Sequence, residues 1–143
     1  MARKGQQSGM RGVFLAAAEL ARRDFIVSPT ARNAAGADLL VTNQGCSVAY
    51  SVQVKTNTAA FDWWVVGAPN KQPRAESHVY VLVNIRAEPS QTEFFVVPSK
   101  FVADHTRRVG KATPAWFGID LRNVQQFRDR WDILGKPKST LVA

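Results

Sequence analysis

Two predicted strands joined by a short turn constrain this chain more than any other feature of its sequence. Short runs of apolar and β-branched residues predict one strand from Ala37 to Thr42 and a longer one from Ser47 to Thr56. The connection is short enough to make them antiparallel neighbours. Asp38 opens the first strand, and Gln53 and Lys55 lie two residues apart on the second, so both point to the same face. We therefore expect these three side chains to lie close together.

The residue types in this cluster suit metal-assisted phosphodiester chemistry. A hard divalent cation prefers oxygen ligands, and the Asp38 carboxylate and the amide carbonyl of Gln53 are oxygen ligands. The Lys55 ammonium can offset negative charge on an attacked phosphate. The cluster therefore indicates a nuclease active site.

The order of these residues resembles the PD-(D/E)XK nuclease superfamily, the restriction-endonuclease-like fold that also includes Holliday-junction resolvases and some homing endonucleases. In that family an acidic residue opens the second core strand, as Asp38 does here, and a Glu/Asp-x-Lys triplet lies on the third. The segment Gln53-Val54-Lys55 occupies the triplet, with Gln where Glu is commoner. Resolvase-type members also place a glutamate on the helix before the first strand, and Glu19 in the predicted helix Gly9–Arg23 fits that position.

The resemblance implies a complete catalytic set and a metal cofactor. The implied catalytic residues are Glu19, Asp38, Gln53 and Lys55. The implied metal ligands are Asp38, the amide carbonyl of Gln53 and the main-chain carbonyl of Val54, with Mg²⁺ or Mn²⁺ as the ion. Glu19 would hold a metal-bound water or a second ion.

Each residue also has a purely structural interpretation, which the sequence leaves open. Asp38 could be a turn residue that bonds the backbone after Gly36. Glu19 could pair with Arg22 or Arg23 on an exposed helix face. Lys55 could be a strand-end lysine with its charge in water.

The element order predicts an α/β (α+β) fold with a restriction-endonuclease-like mixed central sheet of four to five strands flanked by helices. A helix comes first, the strands follow, and two helices end the chain, predicted at 99–108 and 121–131 with Asp120 as the cap of the second. The 143 residues are expected to form a single domain, with residues 1–8 mobile.

A formal net charge of +8, from 19 Lys and Arg against 11 Asp and Glu, favours a polyanionic partner. Nucleic acid is the leading candidate, with backbone contacts expected from basic residues in predicted loops and termini: Arg11, Arg32, Lys71 and Arg74. The four tryptophans could stack on bases, although core packing is the commoner role of such residues.

The single cysteine, Cys46, excludes an internal disulfide and a cysteine-based zinc cluster. No apolar run approaches the ~20 residues that cross a bilayer. Both observations predict a cytoplasmic protein without membrane contact.

The sequence therefore predicts a magnesium-dependent DNA endonuclease of the resolvase or homing type, a hydrolase acting on double-stranded or branched DNA. A homodimer or higher homo-oligomer is expected because two strands must often be cut. Two alternatives remain: a non-catalytic DNA-binding or assembly domain on the same scaffold, and an RNA-binding module. Because Gln53 removes one negative charge from the site, the sequence does not decide between an active and an inactive enzyme.

Overall fold

The computed structural model describes residues 2–31, 36–58 and 61–135. Within these ranges the helices are α1 (Ala2–Arg22), α2 (Ser99–His105) and α3 (Leu121–Val124). The strands are β1 (Ile26–Pro29), β2 (Leu39–Thr42), β3 (Ala49–Asn57), β4 (Trp63–Val66), β5 (His78–Asn84), β6 (Glu93–Pro98), β7 (Arg107–Val109) and β8 (Trp116–Asp120). No helix among the described residues is long and apolar enough to span a membrane.

A five-stranded mixed sheet forms the centre of the fold, in the order β1-β2-β3-β5-β6. Strands β1, β2 and β3 form the predicted antiparallel meander, and β5 and β6 are also antiparallel. Strand β3 pairs in parallel with β5, so the two strands at the middle of the sheet need a crossover connection. The predicted α+β class with a mixed central sheet is confirmed.

Two apolar clusters cover the two faces of this sheet. On one face, Ala16 and Leu20 of α1 pack against residues that include Leu39 and Val52. On the other face, Trp64 belongs to a cluster with residues of β5, β6, α2 and β8. Every residue of β5 is buried, as expected of a strand covered on both sides.

A second sheet of three strands, in the order β4-β8-β7, packs over one face of the first and was not foreseen. It contains most of the aromatic segment 61–66 as β4. The predicted helix 99–108 ends at His105 because Arg107–Val109 joins this sheet as β7.

The predicted final helix 121–131 is wrong beyond its first turn. Helix α3 ends at Val124, and Arg128 forms a β-bridge with Phe95. Asp129 has a φ of 53°, a left-handed conformation that cannot continue a helix, and its N–H donates to the Phe94 carbonyl at 2.9 Å. Pairing with the edge of the central sheet therefore replaces the helix.

Helix α1 begins at Ala2, before the predicted start at Gly9 and within the segment predicted to be mobile. It crosses β3 closely at Gly12, where an added Cβ would overlap the Thr56 side chain. Gly12 is buried, so the absence of a side chain is what allows helix and strand to approach.

We predict that Gly12→Ala lowers the free energy of unfolding by about 1–3 kcal/mol, the usual cost of overpacking. The control is Gly9→Ala, on the same helix, where no described atom lies within 4 Å of an added Cβ. That change should be neutral or stabilise by up to about 1 kcal/mol through helix propensity. Urea denaturation measures both, and equal effects would contradict the close crossing.

Candidate active site

Hydrogen bonds hold the residue that opens β2 against the middle of β3. The Asp38 N–H donates to the Val52 carbonyl at 2.8 Å, and the Asp38 carbonyl accepts from the Thr30 N–H at 3.0 Å. Both main-chain groups of Asp38 are thereby satisfied. Asp38 is fixed between β1 and β3, with its side chain directed to the next residues of β3.

The Asp38 carboxylate continues the pairing with β3 where the strand ladder stops. Its Oδ2 atom accepts from the Val54 N–H at 2.8 Å and from Gln53 Nε2 at 3.1 Å. A charged acceptor makes such bonds shorter and stronger than neutral ones. Asp38 therefore bonds the backbone of the neighbouring strand and not the turn after Gly36.

In the described part of the chain, Asp38 and Gln53 each have one side-chain oxygen that accepts no hydrogen bond. These atoms are Asp38 Oδ1 and Gln53 Oε1. Since Gln53 offers its NH₂ group to the carboxylate, its carbonyl oxygen is the free end of the amide. The N–H and C=O of a strand residue point to the same edge, so the Val54 carbonyl points to the edge that Asp38 occupies. Three oxygens suitable for a hard cation thus belong to neighbouring residues.

Lys55 shares the face of β3 with Gln53, as the alternation of the strand requires. Its side chain is half-buried and forms no ion pair within the described part of the chain. It lines a cleft of about 500 Å³ whose walls include Phe61, Trp63 and Trp116, which we call the aromatic cleft. An uncompensated ammonium in a cleft attracts an anionic ligand.

The end of β3 that borders this cleft is held by buried amides. Asn57 Nδ2 donates to Asn84 Oδ1 at 3.2 Å and to the carbonyl of Phe61. Asn84 Nδ2 donates to Glu93 Oε1 at 3.1 Å, and Arg86 Nη2 approaches the same oxygen at 2.7 Å. Because the side-chain amides of Asn57 and Asn84 have hydrogen-bond partners, the network fixes the segment that leads from β3 to the aromatic residues.

Asp38 also borders a second, larger cavity of about 740 Å³ between β1, the start of β2 and the first half of α1. Arg11, one of the predicted nucleic-acid contacts, lines this cavity and is exposed. The helix therefore brings a cation, and no glutamate, to the side of Asp38.

Glu19, the glutamate predicted for the catalytic set, lies in the second half of α1 beside two arginines. Its carboxylate is 3.0 Å from Arg22 Nη2 and 3.5 Å from Arg23 Nε. It lies about 12 Å along the helix axis from Arg11. Residues 6–14, in the first half of α1, line the cavity beside Asp38, whereas Glu19 lies in the last turns of the helix. The arginine-paired interpretation of Glu19 is confirmed.

The other predicted nucleic-acid contacts have different surroundings. Lys71 is exposed and lines a depression next to Trp116. Arg74 Nη1 is 2.7 Å from Asp104 Oδ1, and this hydrogen bond lowers the pKa of the Asp104 carboxyl. Arg32 lies outside the described residues. Of the four, Arg11 and Lys71 have charges that no acidic side chain in the described ranges neutralises.

A buried histidine, His78, lies on the same face of the sheet as Gln53. In the β3–β5 pairing, Ser51 is opposite His78 and Gln53 is opposite Tyr80. Ser51 Oγ and His78 Nδ1 are 2.6 Å apart, and His78 Nε2 is buried without a hydrogen-bond partner among the described residues. Burial lowers the pKa of His78 and raises that of Tyr80, so both are neutral at pH 7. The His78 and Tyr80 rings therefore lie beside Ser51 and Gln53 without adding charge.

No group of three or more His, Cys, Asp or Glu side chains that could hold a metal occurs in residues 2–31, 36–58 and 61–135. In the candidate site Asp38 supplies a carboxylate, and Gln53 and Val54 supply neutral oxygens.

No protein-family model matches this chain. No curated protein sequence matches it either. Among solved structures, the chain is similar to the bacterial homing endonuclease I-Ssp6803I, with a TM-score of 0.59 and 15% sequence identity. The similarity covers 90% of this chain and 88% of that one. At this identity the likeness shows the fold alone, which is nuclease-like.

The lowered pKa of His78 generates a prediction about stability. Below its ordinary pKa of 6.5, the unfolded chain binds a proton that the folded protein resists. Stability should therefore be greatest above pH 6.5 and fall as the pH decreases, by at most about 1.4 kcal/mol per pH unit for this one group.

His78→Asn keeps a polar group beside Ser51 but cannot titrate, so its loss of stability between pH 6.5 and 5 should be smaller. Asp104 affects the pH dependence of the free energy of unfolding only at lower pH, because its ordinary pKa is 3.8 and the folded value is lower still. Urea denaturation between pH 6.5 and 5 provides the measurement. If the free energy of unfolding falls equally with pH in the wild type and in His78→Asn, the assignment to His78 is refuted.

Proposed function

We propose that this protein is a metal-dependent DNA endonuclease that hydrolyses phosphodiester bonds. The observation that carries the proposal is the hydrogen-bonded pair Asp38–Gln53, in which two oxygens accept no hydrogen bond from the described residues, next to Lys55 on the same face of β3. The similar fold of a protein whose name is homing endonuclease supports the same class of activity. The net charge of +8 suits a DNA substrate.

The donor set fits Mg²⁺ or Mn²⁺. Magnesium is commonly held by one or two protein carboxylates and keeps several of its waters, so one carboxylate with two neutral oxygens is sufficient. Asp38 Oδ1, Gln53 Oε1 and the Val54 carbonyl would hold the ion. When bound, it supplies Lewis-acid polarisation of the phosphate and a more acidic water.

The protein's own groups then have distinct tasks. The two hydrogen bonds to Asp38 Oδ2 orient the carboxylate so that Oδ1 is presented to the ion. Lys55 provides positive charge for the phosphate oxygens in a cleft that contains no acidic side chain among its described walls. Arg11 can hold the DNA backbone on the far side of Asp38. Glu19 has no part in this proposal.

The principal alternative is a domain that binds DNA and does not cut it. Gln53 is the residue that favours it, because a neutral amide binds a divalent cation less strongly than the commoner glutamate would. We also propose a homodimer as the active species, since two strands of a duplex require two active sites.

We predict that Asp38→Ala and Lys55→Ala each reduce metal-dependent nicking by about 10²-fold or more. Purified protein is incubated with plasmid, branched DNA and RNA, with magnesium, with manganese and with chelator. Glu88→Ala and Lys100→Ala, which alter exposed charges away from the site, should retain activity. Binding of DNA without cleavage of any substrate would select the alternative, and preferential binding of RNA would reject both.

A second prediction concerns the unusual glutamine. Gln53→Glu should tighten Mn²⁺ binding, because it adds a negative charge beside Asp38. Without metal the same variant should be less stable, since the hydrogen bond from Nε2 is replaced by repulsion between two carboxylates. Calorimetric titration and thermal unfolding with and without Mn²⁺ measure the two effects. Unchanged affinity would mean that Gln53 does not contact the ion.

A further inference from the structure

The four tryptophans divide into two buried and two accessible residues. Trp64 and Trp131 are 1% and 3% exposed and belong to the cores. Trp116 is 54% exposed, and Trp63 is half-buried. Phe61, next to Trp63 with 5.9 Å between the ring centroids, is 57% exposed. Core packing, the default role of a tryptophan, does not explain this exposure.

The second sheet arranges these rings on one surface. Val65 pairs with Gly118, so the side chains of Trp63, Val65 and Trp116 lie on the same outer face as Gly118. The Trp63 ring lies over Gly118, where an added Cβ would be 2.7 Å from its Cε3 atom. A glycine at this position leaves room for the ring to cover the sheet. The result is an aromatic surface that continues into the cleft of Lys55.

The charge of this surface limits what can cover it. Lys55 lines the cleft on one side of Trp116, and Lys71 lines the depression on the other. None of the described residues that line either depression is acidic, and Asp120, opposite Trp63 on the outer face, is paired with Arg107. A second copy of the chain in a two-fold contact would bring lysines towards lysines, which opposes self-association. Aromatic faces between cations suit a ligand that has both planar rings and negative charges, as a nucleotide strand does.

A paired base cannot use such a surface, because its faces are covered by its neighbours in the duplex. Stacking on protein aromatic groups requires bases that are unpaired or extruded. The aromatic cleft includes Lys55, so a base held there would lie next to the phosphate that the candidate site attacks.

We propose that the aromatic cleft, with Trp116 and Trp63 as its stacking groups, binds unpaired bases, and that the preferred substrate is therefore nucleic acid with a single-stranded segment beside the scissile phosphate. This rests on the proposed function for the position of the cut. The binding of unpaired bases itself requires only the cleft.

Fluorescence anisotropy with chelator, which prevents cleavage, compares a labelled single-stranded oligothymidine with a blunt duplex of the same length. Trp116→Ala should weaken binding of the single strand about tenfold and that of the duplex less than about twofold. Trp116→Phe, which keeps a ring, should retain most of the affinity. Ile26→Ala removes another exposed apolar side chain, 43% exposed on β1, and should change neither.

Acrylamide quenching of the wild-type protein provides a measurement that needs no variant. The single strand should protect the tryptophan fluorescence from the quencher, and the duplex should protect it less. Equal protection by both nucleic acids, or equal losses of affinity in Trp116→Ala, would overturn the proposal. So would a change from dimer to monomer in Trp116→Ala during sedimentation without nucleic acid, because the surface would then be a self-interface.

The two proposals fail in different ways. If the enzyme is active but does not prefer unpaired bases, Asp38→Ala abolishes cleavage while Trp116→Ala leaves single-strand binding unchanged. If the chain is a binding domain only, cleavage is absent and single-strand binding still depends on Trp116.

Discussion

The hydrogen bonds from Gln53 and Val54 to one oxygen of Asp38 are the interaction on which the candidate site depends. They join Asp38, the residue immediately before β2, to the middle of β3, where main-chain pairing alone would leave the carboxylate free to rotate. A neutral amide can hold this carboxylate without an ion, whereas a glutamate in its place would repel it. The neutral Gln53 side chain, which adds no negative charge to the site, therefore also organises it.

Different elements cover the two faces of the central sheet around the Asp38–Gln53 pair. Helix α1 covers one face and brings Arg11 to the cavity beside Asp38. The second sheet lies over the other face and brings Trp116 beside Lys55. The buried contact between Asn57 and Asn84 holds the strand end between them. Arg11 and the aromatic cleft thus lie on either side of the proposed chemistry.

Local patterns in the sequence predict what depends on neighbouring residues. Two strands with a short turn can hardly avoid antiparallel pairing, and alternation places Gln53 and Lys55 on one face, so the meander and the motif follow from the sequence. Helical periodicity predicts the face of a helix but neither its start nor its height against a sheet, so the sequence left the pairing of Glu19 with Arg22 and Arg23 as one of two possibilities. The final helix was wrong beyond Val124 because a long-range bridge from Arg128 to Phe95 overrides a local amphipathic pattern.

The sequence by itself determined the central meander, the position of Asp38 opposite the Gln-x-Lys triplet, and a positive net charge, because each follows from spacing, alternation or composition. Only the tertiary structure decided which oxygens stay free, which tryptophans are accessible, and that Trp116 lies beside Lys55. The physical reason is that these properties arise from pairings between segments far apart in the chain, such as β4 with β8, whose short strands have no local signature.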